Sequence, residues 1–247
     1  MDYHILVFVL FGFIAQLIDG SLGMAYGVSS NTFLLSLGLP PAAASASVHA
    51  AEVFTTGASG AFHLKFGNVR KSLFLKLVIP GVIGGALGAY ILTSIPGDII
   101  KPFISAYLLV MGGVILWKAF NHKADEKEVN TYISPLALAG GFFDAIGGGG
   151  WGPIVTTTLV ARGNSPRSTI GSVNLAEFFV TLAVSVTFIL TIGLEFWKVI
   201  VGLLIGGVLA APLAAYLTKL LPARVLMIIV GLLICFLSLR TLYMVLF

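Results

Sequence analysis

Phe142–Ile154 reads FFDAIGGGGWGPI, four consecutive glycines between an aspartate and a tryptophan in an otherwise strongly apolar chain. Glycine costs about 1 kcal/mol per residue against alanine inside a helix, so this run marks a place where helical backbone must break. The surroundings of the break set its environment. Of 247 residues, 58% are hydrophobic and 10% charged, and mean hydropathy is +1.04; a soluble domain carries about 25% charged residues. Leu73–Leu92, Phe103–Trp117, Leu175–Leu194, Val199–Leu217 and Val225–Leu239 are apolar on every side, as helices in lipid are. The alternating short strands of a membrane β-barrel are missing from the pattern. The chain reads as an all-α polytopic membrane protein.

Three features of composition carry no further function. The single cysteine, Cys235, lies in an apolar run, so it reads as packing and rules out a disulfide framework. The first apolar run, Ile5–Ile18, lacks a basic leader and a small-x-small cleavage site and recurs later in the chain, so it reads as mature protein. The net charge of +4 reports sidedness in a membrane protein and does not point to nucleic acid.

The glycine run belongs to a duplication. At an offset of 125, DGSLGMAYGV (Asp19–Val28) falls on DAIGGGGWGP (Asp144–Pro153), and PAAASASVHAAEVFTT (Pro41–Thr56) falls on PRSTIGSVNLAEFFVT (Pro166–Thr181). Residues 1–125 and 126–247 are two copies of one unit, together forming a single transport domain. Each copy reads as a short apolar segment (5–19, 132–146), a break, and a second short segment (25–37, 151–161). Three long helices follow (41–64, 71–93, 99–120; then 166–192, 196–218, 223–246). A full crossing takes about 20 residues, so each short pair reads as a broken or re-entrant hairpin.

An odd number of crossings per copy inverts the second copy relative to the first. Lys65, Arg70, Lys71, Lys76, Lys118, Lys123, Lys127, Arg162, Arg167, Lys219 and Arg224 then share one face, against Lys101, Lys198 and Arg240 on the other. The positive-inside rule prefers this arrangement, with both termini outside. The charged stretch Asn121–Val129 is the solvated linker between copies.

Inverted repeats with interrupted helices at matching positions are the signature of secondary transporters, whose substrate sits near the midplane. Unwound backbone at membrane depth is tolerated only inside protein or along a wet cavity. A glycine run followed by a half-helix presents amide N–H groups at the positive end of a helix dipole, which suits an anion. The candidate substrate-binding residues are Gly147, Gly148, Gly149, Gly150 and Trp151, with Ser21, Gly23 and Tyr26 as their first-copy counterparts and His49 and Asn174 nearby. Gly149→Leu is expected to abolish transport in a folded protein. For Gly84, Gly85, Gly88, Gly206 and Gly207, on long helices, close helix packing is the reading.

Ser45, His49, Glu52 and Thr56 stand at i, i+4, i+7 and i+11, one stripe of a helix, and Asn174, Glu177 and Thr181 repeat it. Ionisable residues in a span cost a few kcal/mol unless they face the protein interior. Three roles are open to Glu52 and Glu177: carrying protons, ligating a coupling Na⁺, or bracing the hairpin amides. Asp19 and Asp144, ending the first short segments, read as braces of the break, and Ser165 as a helix N-cap. No His-Glu-x-x-His, nucleophile elbow or GxGD context occurs, so no catalytic residue, metal site or cofactor is expected.

The duplicated D-G-x-x-G-x-x-x-G element, the GGGGWGP core at Gly147–Pro153, and the echoes Ser47 to Glu52 and Ser172 to Glu177 resemble the TauE/SafE family over essentially the whole chain. These are also called toluenesulfonate uptake permeases. The first copy departs from the pattern, with Met24 and Ala25 in place of glycines. The resemblance implies a transporter for sulfite or organosulfonates such as sulfoacetate in a bacterial or archaeal inner membrane. The expected partners are a small sulfur-containing anion and membrane lipid, with a homodimer open and no nucleic acid. A passive anion channel on the same scaffold is the alternative.

Overall fold

The computed structural model describes residues 5–22, 25–121, 131–156, 158, 159, 162, 164, 166–193, 196–217 and 223–246. Gly23, Ser165, Lys123, Lys127 and Lys219 fall outside these residues, as do the side chains of Ser21 and Arg167. Among the described residues the first copy comprises α1 (Ile5–Leu22), α2 (Tyr26–Ser36), α3 (Pro41–Lys65), α4 (Lys71–Ser94) and α5 (Gly97–Phe120). The second comprises α6 (Ile133–Gly147), a π-helical turn (Gly152–Thr156), α7 (Pro166–Ile192), α8 (Trp197–Leu217) and α9 (Ala223–Leu246). The protein is an all-α, multi-pass membrane protein.

Length and composition decide which helices cross. Lys71–Ser94, Asp98–Phe120, Ser168–Ile192 and Met227–Leu246 are long and apolar enough to span a bilayer. Their outward side chains, such as Phe103 at 70% and Leu190 at 80% exposure, present a hydrocarbon surface suited to lipid. At 11 residues, α2 is about 16 Å long and reaches roughly half the hydrocarbon thickness. Proline opens both α3 and α7, where its missing N–H has no helical partner to lose.

Helix packing follows the duplication. α1 packs on α8 and α6 on α4, pairs that exchange under the 125-residue offset, while α3 packs on its own counterpart α7 and α5 on its counterpart α9. Along α3 and α7, His49 lies by Phe188, Gly57 by Phe178 and Gly60 by Leu175, so one index falls as the other rises. Gly112 likewise meets Cys235 while Leu116 meets Gly231. Equivalent helices of the two halves therefore run antiparallel. The exchanged pairs approach backbone to backbone through small residues: Gly84 on Leu138, Gly88 on Phe142, and Gly206 on Val9. Gly207 differs, since a Cβ there would meet Thr55 and Tyr26 at an ordinary 3.7 Å.

One end of the bundle gathers basic residues. The Arg70 amide donates to Ser172 Oγ at 2.8 Å and its guanidinium to Asn164 Oδ1 at 3.2 Å, while Arg162 donates to the Thr131 carbonyl at 3.1 Å. Arg240, near the far end of α9, instead donates to the Ser36 carbonyl at 2.9 Å.

Candidate functional site

The second break is built around Asp144. α6 ends at Gly147, Gly148 turns left-handed (φ 66°), and Gly149 takes φ 153°, conformations that only glycine adopts without strain. The Gly148 and Gly149 amides both donate to the Asp144 carbonyl, the latter at 3.0 Å. The Asp144 carboxylate then spans the break, its Oδ1 accepting from Gly150 N at 2.6 Å and Trp151 N at 2.9 Å. These are the first amides of the next helical turn, so Asp144 caps it from across the gap. In the first copy, Asp19 Oδ1 accepts from the amide of Tyr26, the position equivalent to Trp151, at 3.3 Å.

This corrects the expectation of a bare amide cluster. The N–H groups of Gly148, Gly149, Gly150 and Trp151 are all bonded to Asp144, so a carboxylate of the protein stands where the sequence suggested a bound anion. The four glycines answer to packing as well. A Cβ on Gly149 would overlap the backbone of Gly27 and Val28, and one on Gly27 would lie 2.6 Å from Gly149 Cα. The two breaks cross in direct backbone contact. Gly147 and Gly150 lie against Tyr107, and Gly148 against Asn31, whose amide donates to the Gly147 carbonyl. Gly149→Leu therefore disrupts the crossing itself rather than leaving a folded protein.

Ala25, equivalent to Gly150, sits at φ 89°, ψ 2°. Such a conformation costs an L-residue roughly 1–2 kcal/mol, partly offset by glycine's greater unfolded-state freedom. Ala25→Gly is expected to stabilise the protein by about 1 kcal/mol, read as a raised thermal midpoint in detergent.

Beside the crossing lies a cavity of about 340 Å³. α1 contributes Gln16 and Asp19 to its wall, α3 contributes Glu52, Thr55, Thr56, Ser59 and His63, and α7 contributes Asn174 and Glu177. Asp144, Gly149 and Gly150 complete the wall on the side of the second break. Of the sequence candidates, Asp19, Glu52, Asp144, Gly149, Gly150, Asn174 and Glu177 are thus brought together. Tyr26, Gly147, Gly148, Trp151 and His49 are not on the wall. Tyr26 is buried with its hydroxyl donating to the Leu203 carbonyl at 3.3 Å, and Trp151 is buried with its indole N–H donating to the Val173 carbonyl at 3.2 Å.

His49 is fully buried, its Nδ1 2.8 Å from the Ser45 carbonyl and its Nε2 3.1 Å from Asp144 Oδ2. A carbonyl only accepts, so Nδ1 carries a proton, and a second proton lies between Nε2 and Oδ2. The His49–Asp144 pair is net neutral whichever partner holds that proton. The counterpart of His49, Asn174, makes no such pair; its amide donates to the Ile170 carbonyl at 3.1 Å.

Sequence reading missed Gln16, Thr55, Ser59 and His63 as wall residues. Gln16 carried a usable signal, being a polar residue within the first apolar run. Among the described residues the wall contains four carboxyl groups and neither Lys nor Arg. A unit negative charge about 6 Å from one ionised carboxylate is repelled by roughly 3 kcal/mol at an effective dielectric of about 20. Among the described residues no group of His, Cys, Asp and Glu is placed to hold a metal ion.

Comparison with known proteins agrees with the architecture. The family described as Sulfite exporter TauE/SafE matches residues 8–241. The chain is 45% identical to the probable membrane transporter protein YtnM of Bacillus subtilis (strain 168), covering 96% of this chain and 82% of that protein. It is 26% identical to the probable membrane transporter protein ORF9 of Sinorhizobium sp, over 85% of this chain and 76% of that one. No solved structure matches it. With the family match running through nearly every helix, from α1 to α9, this chain belongs to the TauE/SafE sulfite exporter family of membrane transporters.

Proposed function

We propose that the protein is a secondary carrier for a small sulfur-containing anion, sulfite or an organosulfonate such as sulfoacetate, across a bacterial or archaeal inner membrane. The observation that carries this reading is the polar cavity at the crossing of two interrupted segments, one from each half, whose equivalent long helices run in opposite directions. Such a crossing belongs to alternating access, in which one half rocks against the other around a fixed central site. Residues 1–125 and 126–247 act in this reading as one inverted pair, with the basic end cytoplasmic and both termini outside.

The crossing glycines Gly27, Gly149 and Gly150 line the cavity, while Asp19 and Asp144 brace the breaks. Gln16 of α1, Ser59 of α3 and Asn174 of α7 add neutral polar side chains to the wall.

Purified protein in liposomes is expected to move sulfite and sulfoacetate saturably, faster than sulfate, and faster under an imposed pH gradient. Voltage-driven current far above carrier turnover, without pH dependence, would replace the carrier with a channel. Complete absence of flux for all three anions would remove transport of this class altogether.

A further inference from the structure

Glu52 and Glu177 occupy equivalent positions on α3 and α7 and line one cavity within electrostatic reach of each other. An anion arriving there finds few free side-chain hydrogen-bond donors among the described residues. Asp144 holds the Gly150 and Trp151 amides of the second break, and Asp19 holds the Tyr26 amide of the first. The Thr55 and Thr56 hydroxyls donate to the Glu52 carbonyl at 3.1 and 2.7 Å, and the Asn174 amide donates to the Ile170 carbonyl. Acceptors are in surplus. Gln16, 7% exposed, brings to the same wall a buried side-chain carbonyl with no partner among the described residues.

A cavity of this kind suits an anion once its acceptors become donors, which a carboxyl group does by taking up a proton and presenting one O–H. We propose that Glu52 and Glu177 receive the anion as neutral acids, so that up to two protons enter the cavity with each anion. This rests on the anion-carrier reading and specifies its coupling. Each acid O–H donates to an oxygen of the solute, no covalent bond of the solute changes, and loss of the protons on the other side expels it by repulsion.

The other titratable groups around the pair have separate work. Asp19 of α1 and Asp144 of α6 accept the break amides, His49 of α3 shares its proton with Asp144, and His63 of α3 stands on the same wall with its Nδ1 against Asn68. Tyr26 of α2 lies within electrostatic reach of Glu52 and Asp19, and Tyr107 of α5 within reach of Asp144. Among the described residues α4 and α8 bring no titratable residue to the wall.

The test titrates purified protein in lipid nanodiscs with sulfite and with methanesulfonate, a probe whose own charge stays fixed from about pH 5 to about pH 8. For the wild type, methanesulfonate affinity is expected to fall with rising pH, approaching about a hundredfold per pH unit where both acids must be protonated to bind. Glu52→Gln or Glu177→Gln should reduce this to about tenfold, and the double variant should bind with little pH dependence, since the amide keeps a neutral donor. Calorimetry of the wild type in two buffers of different ionisation enthalpy counts the protons taken up per anion without any variant; one to two supports the proposal. A flat wild-type pH response, no proton uptake, a double variant with the wild-type slope, or a Na⁺ requirement in place of the pH response each overturns it and leaves anion transport standing. Failure of both anions to bind at any pH overturns the carrier reading and this inference together.

Discussion

Gly149→Ala yields no folded transporter. The new methyl group would sit on the backbone of Gly27 and Val28, where the two breaks cross, and neither side can yield by rotating a side chain. The backbone at φ 153° is a second obstacle, in a region L-residues rarely adopt. Steric overlap with main chain on this scale belongs to the severe class of substitutions, upward of about 4 kcal/mol. The measurement is the yield of monodisperse protein after detergent extraction, with Gly67→Ala as control. Gly67 also has a positive φ, but a Cβ there meets nothing within 4 Å, so its loss should be slight. Normal yield and flux from Gly149→Ala would mean that the breaks do not touch.

Asp144→Ala carries the next largest loss and discriminates between the two halves. It strips Gly150 N, Trp151 N and His49 Nε2 of their acceptor in a fully buried setting. Orphaned buried groups cost about 1–3 kcal/mol each, and breaking a buried pair about 3–5, so a loss of about 4 kcal/mol is expected. Asp19→Ala frees one amide held at 3.3 Å and should cost about 1 kcal/mol, the usual value of an N-cap. Asp144→Asn, which keeps an acceptor for the two amides, should fall between. Thermal midpoints of the three variants in one detergent give the order; equal losses at Asp19 and Asp144 would contradict the asymmetry of the two caps.

The long helices were legible because lipid demands continuous apolar length and because proline and glycine punctuate the turns. α7 was expected at 166–192 and spans Pro166–Ile192, and the other long helices agree within two residues at each end. The duplication was equally plain, since the residues that shape a break recur at one offset. The site was less so. Four glycines report that backbone must come close to something, but spacing cannot tell a ligand from a second copy of the same backbone. Gly149 meets Gly27, 122 positions away, and no local pattern encodes that encounter. Asp144 was read as a brace, yet the reach of its side chain over the break to Gly150 and Trp151 depends on the left-handed turn at Gly148. The stripe of Ser45, His49, Glu52 and Thr56 lies on one helix, but it divides. Ser45 and His49 bond to α6, while Glu52 and Thr56 face the cavity, because α6 ends partway along α3. The π-helical turn at Gly152–Thr156 has no periodic signature in so short a segment.

Trp151 supplies an optical handle on this crossing. The chain has three tryptophans; Trp117 and Trp197 are 58% and 56% exposed at helix ends, in the zone where bilayer meets water, whereas Trp151 is sealed against Gly81 and Val173. An aqueous quencher such as iodide reaches the two rim indoles and spares the central one. Once Trp117 and Trp197 are replaced by phenylalanine, the remaining emission follows the joint between the halves turnover by turnover, with no dye attached.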